Sequence, residues 1–331
     1  MTDESLRHIL VTGANGFIGN AIRGLLRQRN YLVRGTVRSL GRATGPNSDD
    51  VIEIGDIDSA TNWLHVLENI DAVIHLAARA HIIRETSNNP LLEFRKINVS
   101  GTEKLAQGAV RAKVKRFIYV SSIGVNGQCN NEDVPFTEID SPNPHDPYTT
   151  SKWEAEQTLL KISKETNLEV VIIRCPLVYG PHVKGNFLRL MKIVERGLPL
   201  PFASVNNRRS LLYVENLTDL IIHCIESKNV ASRTFLASDN EDISTPDLIR
   251  QLANAMGVKA RLFSFNSRLL KSFAKAFGKT DEFNRLCGSL RVNSSKARRI
   301  LNWQPPISVD EGIKRTVEWY LQKTQGVRRK A

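Results

Sequence analysis

The stretch HDPYTTSKWEAEQ, residues 145–157, sets a phenol and an ammonium four residues apart, Tyr148 and Lys152. Pro147 blocks helix ahead of Tyr148, and Thr149, Thr150 and Ser151 offer hydroxyls able to cap a helix start. From Ser151 on, Trp153, Ala155, Leu159, Leu160 and Ile162 recur on a roughly helical period. A first turn that includes Tyr148 puts residues i and i+4 on one face, so the two side-chain ends can meet. A cation beside a phenol favours the phenolate and lowers a pKa that is ordinarily about 10. Such a tyrosine trades protons near neutral pH. Chance also produces this spacing. With 6 Tyr and 18 Lys in 331 residues, one Tyr-x-x-x-Lys arises roughly a third of the time, so the pair needs company before it carries meaning.

Company comes from a glycine-rich turn. HILVTGANGFIGNAIRGLL places Gly13, Gly16 and Gly19 between an apolar run that reads as a first strand and a segment that reads as a helix. Backbone without Cβ turns tightly and admits a pyrophosphate, while a helix N-terminus offers it unpaired N–H groups. The spacing is G-x-x-G-x-x-G, and three glycines can also make a purely structural turn. The end of the second strand, RGTVRSLGR, carries Arg38 with Arg42 nearby and no acid. An acid there would bind a ribose 2′-hydroxyl, whereas an arginine suits a 2′-phosphate. NADP(H) is therefore favoured, with NAD(H) the alternative; a solvated surface arginine is the plainer explanation of Arg38. Asp56, in GDI, ends a third strand where a carboxylate meets an adenine amine or caps the following helix.

These residues need a frame, and the sequence supplies one. Segments 8–13, 31–37, 51–56, 71–78, 116–122 and 169–175 read as buried strands, and 17–29, 90–112 and 151–166 as helices between them. Alternating strands and helices imply a parallel sheet with right-handed crossovers, a Rossmann-type doubly wound α/β fold over residues 1–180. Beyond CPLVYGP the alternation loosens, and 181–331 reads as a smaller lobe, some of whose segments return to the sheet.

Apolar content of 41% and charged content of 24% are those of an ordinary globular chain. No apolar run approaches the ~18 residues of a membrane span, and MTDESLRHIL lacks signal-peptide organisation. Cys129, Cys175, Cys224 and Cys287 lie far apart, which points to free thiols in the cytoplasm and to no metal site. Residues 1–180 hold 20 Lys and Arg against 21 Asp and Glu, whereas 181–331 hold 26 against 13. A basic second half suits an anionic partner, such as a phosphorylated small molecule. Nucleic acid is not expected, because no nucleic-acid-binding motif accompanies the charge. In SRLLKSFAKAFGK, 267–279, Arg268, Lys271, Lys275 and Lys279 alternate with Leu269, Leu270, Phe273 and Phe277 on helical spacing. Such a helix can lie on an anionic membrane; the expectation is instead a surface helix with its apolar face in the core.

Together these pieces resemble the extended short-chain dehydrogenase/reductase family, in its nucleotide-sugar epimerase, dehydratase and reductase branch. TGANGFIG resembles the cofactor turn, GDI the adenine contact and VIHLAA the fourth strand. INVSGT resembles the Asn-containing helix, YVSSIGVNG the catalytic-serine strand, and YTTSK the Tyr-x-x-x-Lys pair. RCPLVYGP, RRSLLYVENLTDLI and LNWQPPISVDEGIKRTVEW complete the series in order.

The resemblance implies that Tyr148 is the general acid/base, that Lys152 binds the nicotinamide ribose and holds the phenol's pKa down, and that Ser122 hydrogen-bonds the same sugar oxygen. The cofactor contacts it implies are Gly13, Gly16, Phe17, Ile18, Gly19, Arg38, Asp56, Ile57, Leu76, Ala77, Ala78, Asn98, Ser121, Tyr148 and Lys152. For Ser121 and Ser122, a hydroxyl-capped turn at a strand end is the competing explanation. On the substrate side it implies Arg209, or Arg208, at the diphosphate of a UDP-sugar. Phe202 would stack on the base or plug the core, and Asn186 would contact the diphosphate or cap a helix.

Some departures from the branch's epimerases bear on the reaction. Arg209-Ser210 stands where they commonly have Arg-Asp, Leu177 where they often have Asn, and Arg38 where an acid is usual. The resemblance then points to bacterial O-antigen and lipopolysaccharide precursor enzymes that reduce a UDP-4-keto-6-deoxy-N-acetylhexosamine at C4. The alternative is a UDP-hexose or UDP-N-acetylhexosamine 4-epimerase that retains NAD. A 4,6-dehydratase is disfavoured because SSIGV offers no acidic pair, and a cofactor-sensing binding protein because Ser122, Tyr148 and Lys152 are intact. Homodimers pairing helices 90–112 and 151–166 are implied as well.

Overall fold

The computed structural model describes residues 7–42, 51–80, 87–130 and 134–328, and the side chains of Arg42, Ser267, Arg268, Glu282 and residues 326–328 lie outside that description. Seven parallel strands form the main sheet: β1 (His8–Thr12), β2 (Leu32–Val37), β3 (Val51–Glu53), β4 (Ala72–His75), β5 (Arg116–Ser122), β6 (Glu169–Cys175) and β9 (Arg233–Leu236). Their order is β3-β2-β1-β4-β5-β6-β9. Helices cover both faces, so the strands read as nearly continuous apolar runs. On one side lie α1 (Phe17–Gln28), α7 (Val214–Glu226) and α11 (Ser295–Leu301), which with Trp303 enclose a core containing Ile9, Val11, Ile74 and Ile173. On the other lie α2 (Leu64–Leu67), α4 (Thr102–Arg111) and α5 (Pro147–Glu165), over Leu10, Val73, Phe117 and Ile172.

A second sheet, β10 (Asp242–Ile243), β8 (Arg209–Tyr213) and β7 (Leu177–Tyr179), packs with α6 (Gly185–Glu195), α8 (Thr245–Ala255) and α12 (Val309–Arg328) around Tyr179, Met191, Tyr213, Leu252 and Val317. Two further helices, α9 (Ser267–Ala276) and α10 (Thr280–Cys287), stand at its side. Thus β9, α7 and α11, all from beyond residue 180, belong to the main sheet and its cover.

Two elements differ from the periodicity. The span 90–112 is broken: α3 (Pro90–Arg95) leads into a π-helical turn, Lys96–Gly101, before α4. There the Thr102 hydroxyl donates to the Asn98 carbonyl at 2.7 Å, and Asn98 turns inward to 1% exposure. Turns of this kind recur at functional sites. The other is α5, which begins at Pro147 rather than near 151, because its first turn is polar and leaves no apolar trace. Its cap is Asp146, whose carboxylate accepts from the Thr149 N–H at 2.7 Å while the Thr149 hydroxyl accepts from the Asp146 N–H at 3.1 Å. Thr149 serves that capping box from inside the helix.

Candidate active site

Parallel strands deliver their ligands at their C-terminal ends, where the strand order reverses. Here that point lies between β1 and β4, and the glycine turn sits on it. Gly13 has φ +67°, and a Cβ there would come within 3.0 Å of the Ala77 nitrogen. The Gly16 N–H donates to the Gly13 carbonyl at 2.9 Å. Gly16 is the N-cap of α1 and supplies no side-chain cap, so the first-turn amides of Phe17, Ile18 and Gly19 are left for an anion. A Cβ on Gly19 would lie 2.2 Å from the Gly13 oxygen. The cradle therefore fits a dinucleotide pyrophosphate. Gly19→Ala is expected to weaken nicotinamide-cofactor binding by at least roughly tenfold, about 1.4 kcal/mol, which a fluorescence titration checks.

Behind the turn runs an unbroken line of hydrogen bonds. The Leu76 and Ala77 N–H groups donate to the Thr12 hydroxyl oxygen at 3.1 and 3.2 Å, and that hydroxyl lies 2.7 Å from His75 Nδ1. His75 Nε2 is 2.9 Å from the Thr102 hydroxyl. Because Thr102 gives its proton to Asn98, His75 must carry hydrogen on Nε2 and accept from Thr12 on Nδ1. Burial, and secondarily the charge of Lys152, push the His75 pKa down to about 3, so the ring is neutral. Asn98 Nδ2 then donates to Ser151 Oγ at 2.9 Å, and Ser151 Oγ donates to the Tyr148 carbonyl at 2.7 Å. Asn98 also exchanges bonds with the Arg79 backbone, accepting at 2.8 Å and donating at 3.1 Å. Both ends of its amide are thus bonded, and its side chain braces the Arg79 backbone against Ser151.

Lys152 is 3% exposed, donates from Nζ to the Val120 carbonyl at 2.7 Å and lies 4.0 Å from the Tyr119 ring centroid. That bond ties the first turns of α5 to the end of β5. Burial drives its pKa down to about 7, with Glu156 and Cys175 opposing. The half-buried Tyr148 phenol is pushed well above its ordinary range, by burial first and then by Cys175 and Asp146. The expected depression of the phenol by Lys152 is not what the protein alone provides. Lys152 is turned to the Val120 carbonyl and is not among the groups that shift the phenol, and burial shifts both groups toward their neutral forms.

Ser122 ends β5 and caps the short 3-10 turn Ile123–Val125, accepting from the Gly124 N–H at 3.1 Å. Its hydroxyl proton remains available to a substrate oxygen. Ser121 differs: its hydroxyl donates to Glu156 Oε1 at 2.5 Å, in a buried group where Arg174 holds Glu156 at 2.6 Å and Asn126 at 2.9 Å. The Ser121 hydroxyl proton is thereby given to Glu156.

At the adenosine end, Arg38 Nε pairs with Asp56 at 3.0 Å, both side chains about 70% exposed (72% and 71%). The side chain of Arg42 lies outside the described residues. Ile57 packs under the π-turn, where a Cβ on Gly101 would meet its Cγ2 at 2.6 Å. Ala78 is half-buried just past β4.

In the second lobe Arg209 donates to the Gly288 carbonyl at 2.7 Å, and no carboxylate among the described residues pairs with it. Burial lowers its pKa, with Cys129 and Cys287 nearby. Its remaining N–H groups fit a diphosphate. Arg208 is exposed, and Asn186 is an exposed first-turn residue of α6, whose N-cap is Lys184, so Asn186 caps nothing there. Phe202 is half-buried against the second-lobe core and lines an apolar cleft of about 370 Å³ beside α9 and α10. Among the described residues no group of three or more His, Cys, Asp or Glu could hold a metal ion.

Residues 9–236 match the profile of the NAD dependent epimerase/dehydratase family. The chain belongs to that family. A UDP-glucose 4-epimerase of Vibrio cholerae is 41% identical over 320 residues, covering 96% of each chain. The dTDP-D-glucose 4,6-dehydratase of Homo sapiens is 28% identical, covering 96% of this chain and 90% of its own. The crystal structure of UDP-glucuronic acid 4-epimerase from Bacillus cereus in complex with NAD superposes with a TM-score of 0.77 at 24% identity, over 96% of this chain and 99% of that one. The protein is thus an enzyme of the extended short-chain dehydrogenase/reductase type, in its nucleotide-sugar branch, with the seven-stranded fold of its relatives.

Proposed function

We propose that the enzyme carries out oxidation–reduction at C4 of a UDP-linked sugar, in the direction that reduces a UDP-4-keto-6-deoxy-N-acetylhexosamine for surface-polysaccharide synthesis. A bound nicotinamide dinucleotide supplies hydride chemistry, held at its pyrophosphate by the Gly13–Gly19 turn and at its ribose by Lys152. The chain's own residues manage the proton. Tyr148 hands its phenolic proton to the C4 oxygen, Ser122 donates a hydrogen bond to that same oxygen, and Arg209 grips the diphosphate. The observation that supports the direction is Arg38 at the end of β2, an exposed side chain standing where NAD-retaining epimerases of the branch commonly carry an acid, which suits a phosphorylated cofactor that is released each turn.

Epimerisation at C4 uses the same residues, and the 41% identity to the UDP-glucose 4-epimerase of Vibrio cholerae supports it as the second reading. The two separate in one assay. Stoichiometric oxidation of NADPH or NADH by UDP-4-keto-6-deoxy-N-acetylglucosamine supports reduction. Interconversion of UDP-hexose isomers with NAD retained on the protein, and no oxidation of added cofactor, overturns it for epimerisation.

Arg38 supports the phosphorylated cofactor. Its exposed pair with Asp56 is worth little, so the guanidinium is free to turn toward a 2′-phosphate. Arg38→Ala is expected to raise the KM for NADPH by roughly tenfold, about 1.4 kcal/mol, and to leave that for NADH nearly unchanged. Equal effects on both cofactors would remove Arg38 from this role.

A further inference from the structure

Helix α9 and the residue that follows it carry apolar side chains that the described chain covers only in part: Phe273 lies 6.4 Å from Phe265 between ring centroids, and Phe273 and Phe277 line an open cleft with Phe202 and Phe283. Leu269, Phe273 and Phe277 are 53%, 54% and 75% exposed, and Phe263, just ahead of the helix, is 45% exposed. Of the described α9 side chains only Leu270 and Ala274 are half-buried and the rest are exposed, so, against expectation, the apolar face does not enter the core. Short helices draw most of their stability from burying such a face. A contiguous patch of large apolar side chains marks an interaction surface.

The charge around the patch has one sign. Between Gly257 and Thr280 the sequence holds Lys259, Arg261, Arg268, Lys271, Lys275 and Lys279, and no Asp or Glu. The described side chains of this set are exposed, and no carboxylate among the described residues pairs with Lys271, Lys275 or Lys279. The occupant must therefore bury aliphatic and aromatic groups while neutralising cations. A second copy across a two-fold axis would set this basic stretch against itself. Single-stranded nucleic acid would match the charge and the phenylalanine rings, but it would leave the aliphatic Leu269 without an apolar partner, and no nucleic-acid-binding motif accompanies the stretch. An anionic lipid surface meets both requirements.

We propose that α9 docks on an anionic membrane surface, with Leu269, Phe273 and Phe277 in the acyl boundary and Lys271, Lys275 and Lys279 among the headgroup phosphates. The attachment is peripheral, since no helix among the described residues is long and apolar enough to cross a membrane. It stands independently of the sugar chemistry proposed above.

The test is sedimentation of the whole protein with vesicles of phosphatidylcholine, pure or containing about one-third phosphatidylglycerol. At low salt, binding to the anionic vesicles is expected to exceed binding to the neutral ones by at least about tenfold, and to weaken as salt rises. A Leu269→Ser/Phe277→Ser variant and a Lys271→Ser/Lys275→Ser variant should each lose at least about tenfold in that binding, with unchanged circular dichroism and melting temperature. No sedimentation with anionic vesicles at low salt overturns the proposal. So does equal binding to both lipids, or full binding by both variants.

Discussion

Tyr148→Phe is expected to lower kcat by roughly 10²–10⁴-fold, the usual contribution of a positioned acid or base, while cofactor affinity stays within about twofold. The phenolic hydroxyl has no hydrogen-bond partner among the described residues, and the ring's edge contact with Phe94, 6.1 Å between centroids, survives the change. The variant therefore folds, and what it loses is the proton. Full activity in Tyr148→Phe would show that another group does the work.

The pH profile of the wild type sharpens this. Tyr148 keeps its proton well into the alkaline range, whereas Lys152, with a pKa near 7, loses its charge first. The alkaline limb of kcat/KM for ketone reduction, which reports the free enzyme, is then set by Lys152: activity is high below about pH 7 and declines above it. Lys152→Arg keeps its charge beyond pH 12, so its limb should move to higher pH. A limb that stays in place would assign the titration to a different group.

Much of the frame was legible because it repeats a simple rule. Buried parallel strands are short continuous apolar runs, and the six expected runs each contain the observed strand. The glycine turn was legible too, since no Cβ fits at Gly19. Other parts were hidden for physical reasons. β9 has only four residues and carries Arg233 and Thr234, so nothing marks it as a sheet strand except its pairing with β6. The brace from Thr12 through His75, Thr102, Asn98 and Ser151 joins residues far apart in the chain, and each alone is a commonplace polar side chain. Asn98 was singled out, but its partners depend on the π-turn, which helical periodicity does not foretell. The sign of the pKa shifts was equally out of reach: spacing suggested that Lys152 would lower the phenol, but burial is the largest cause at both residues and Lys152 is not among the groups that shift Tyr148.

Glu156 and Arg174 were not singled out in the sequence, though a charge inside the apolar run EVVIIRC could have marked Arg174, and their pairing carries the second large prediction. Glu156 is fully buried and Arg174 is 5% exposed. Together they accept from Ser121 and hold Asn126, whose amide reaches the Thr137 carbonyl at 2.9 Å across the loop that follows Ser122. Glu156→Gln leaves a guanidinium buried without its counter-charge, a loss of about 3–5 kcal/mol. The melting temperature is expected to fall by roughly 5–15 °C. Replacing both partners, Glu156→Met with Arg174→Met, removes the uncompensated charge and should recover most of that loss, because a buried pair is offset by its own desolvation. Activity should not recover in step, since the double variant still lacks the anchor for Asn126 and the acceptor for Ser121. A double variant as unstable as Glu156→Gln would show that packing volume, not charge, governs the site. One that regains full kcat would show that Ser122 is positioned without this pair.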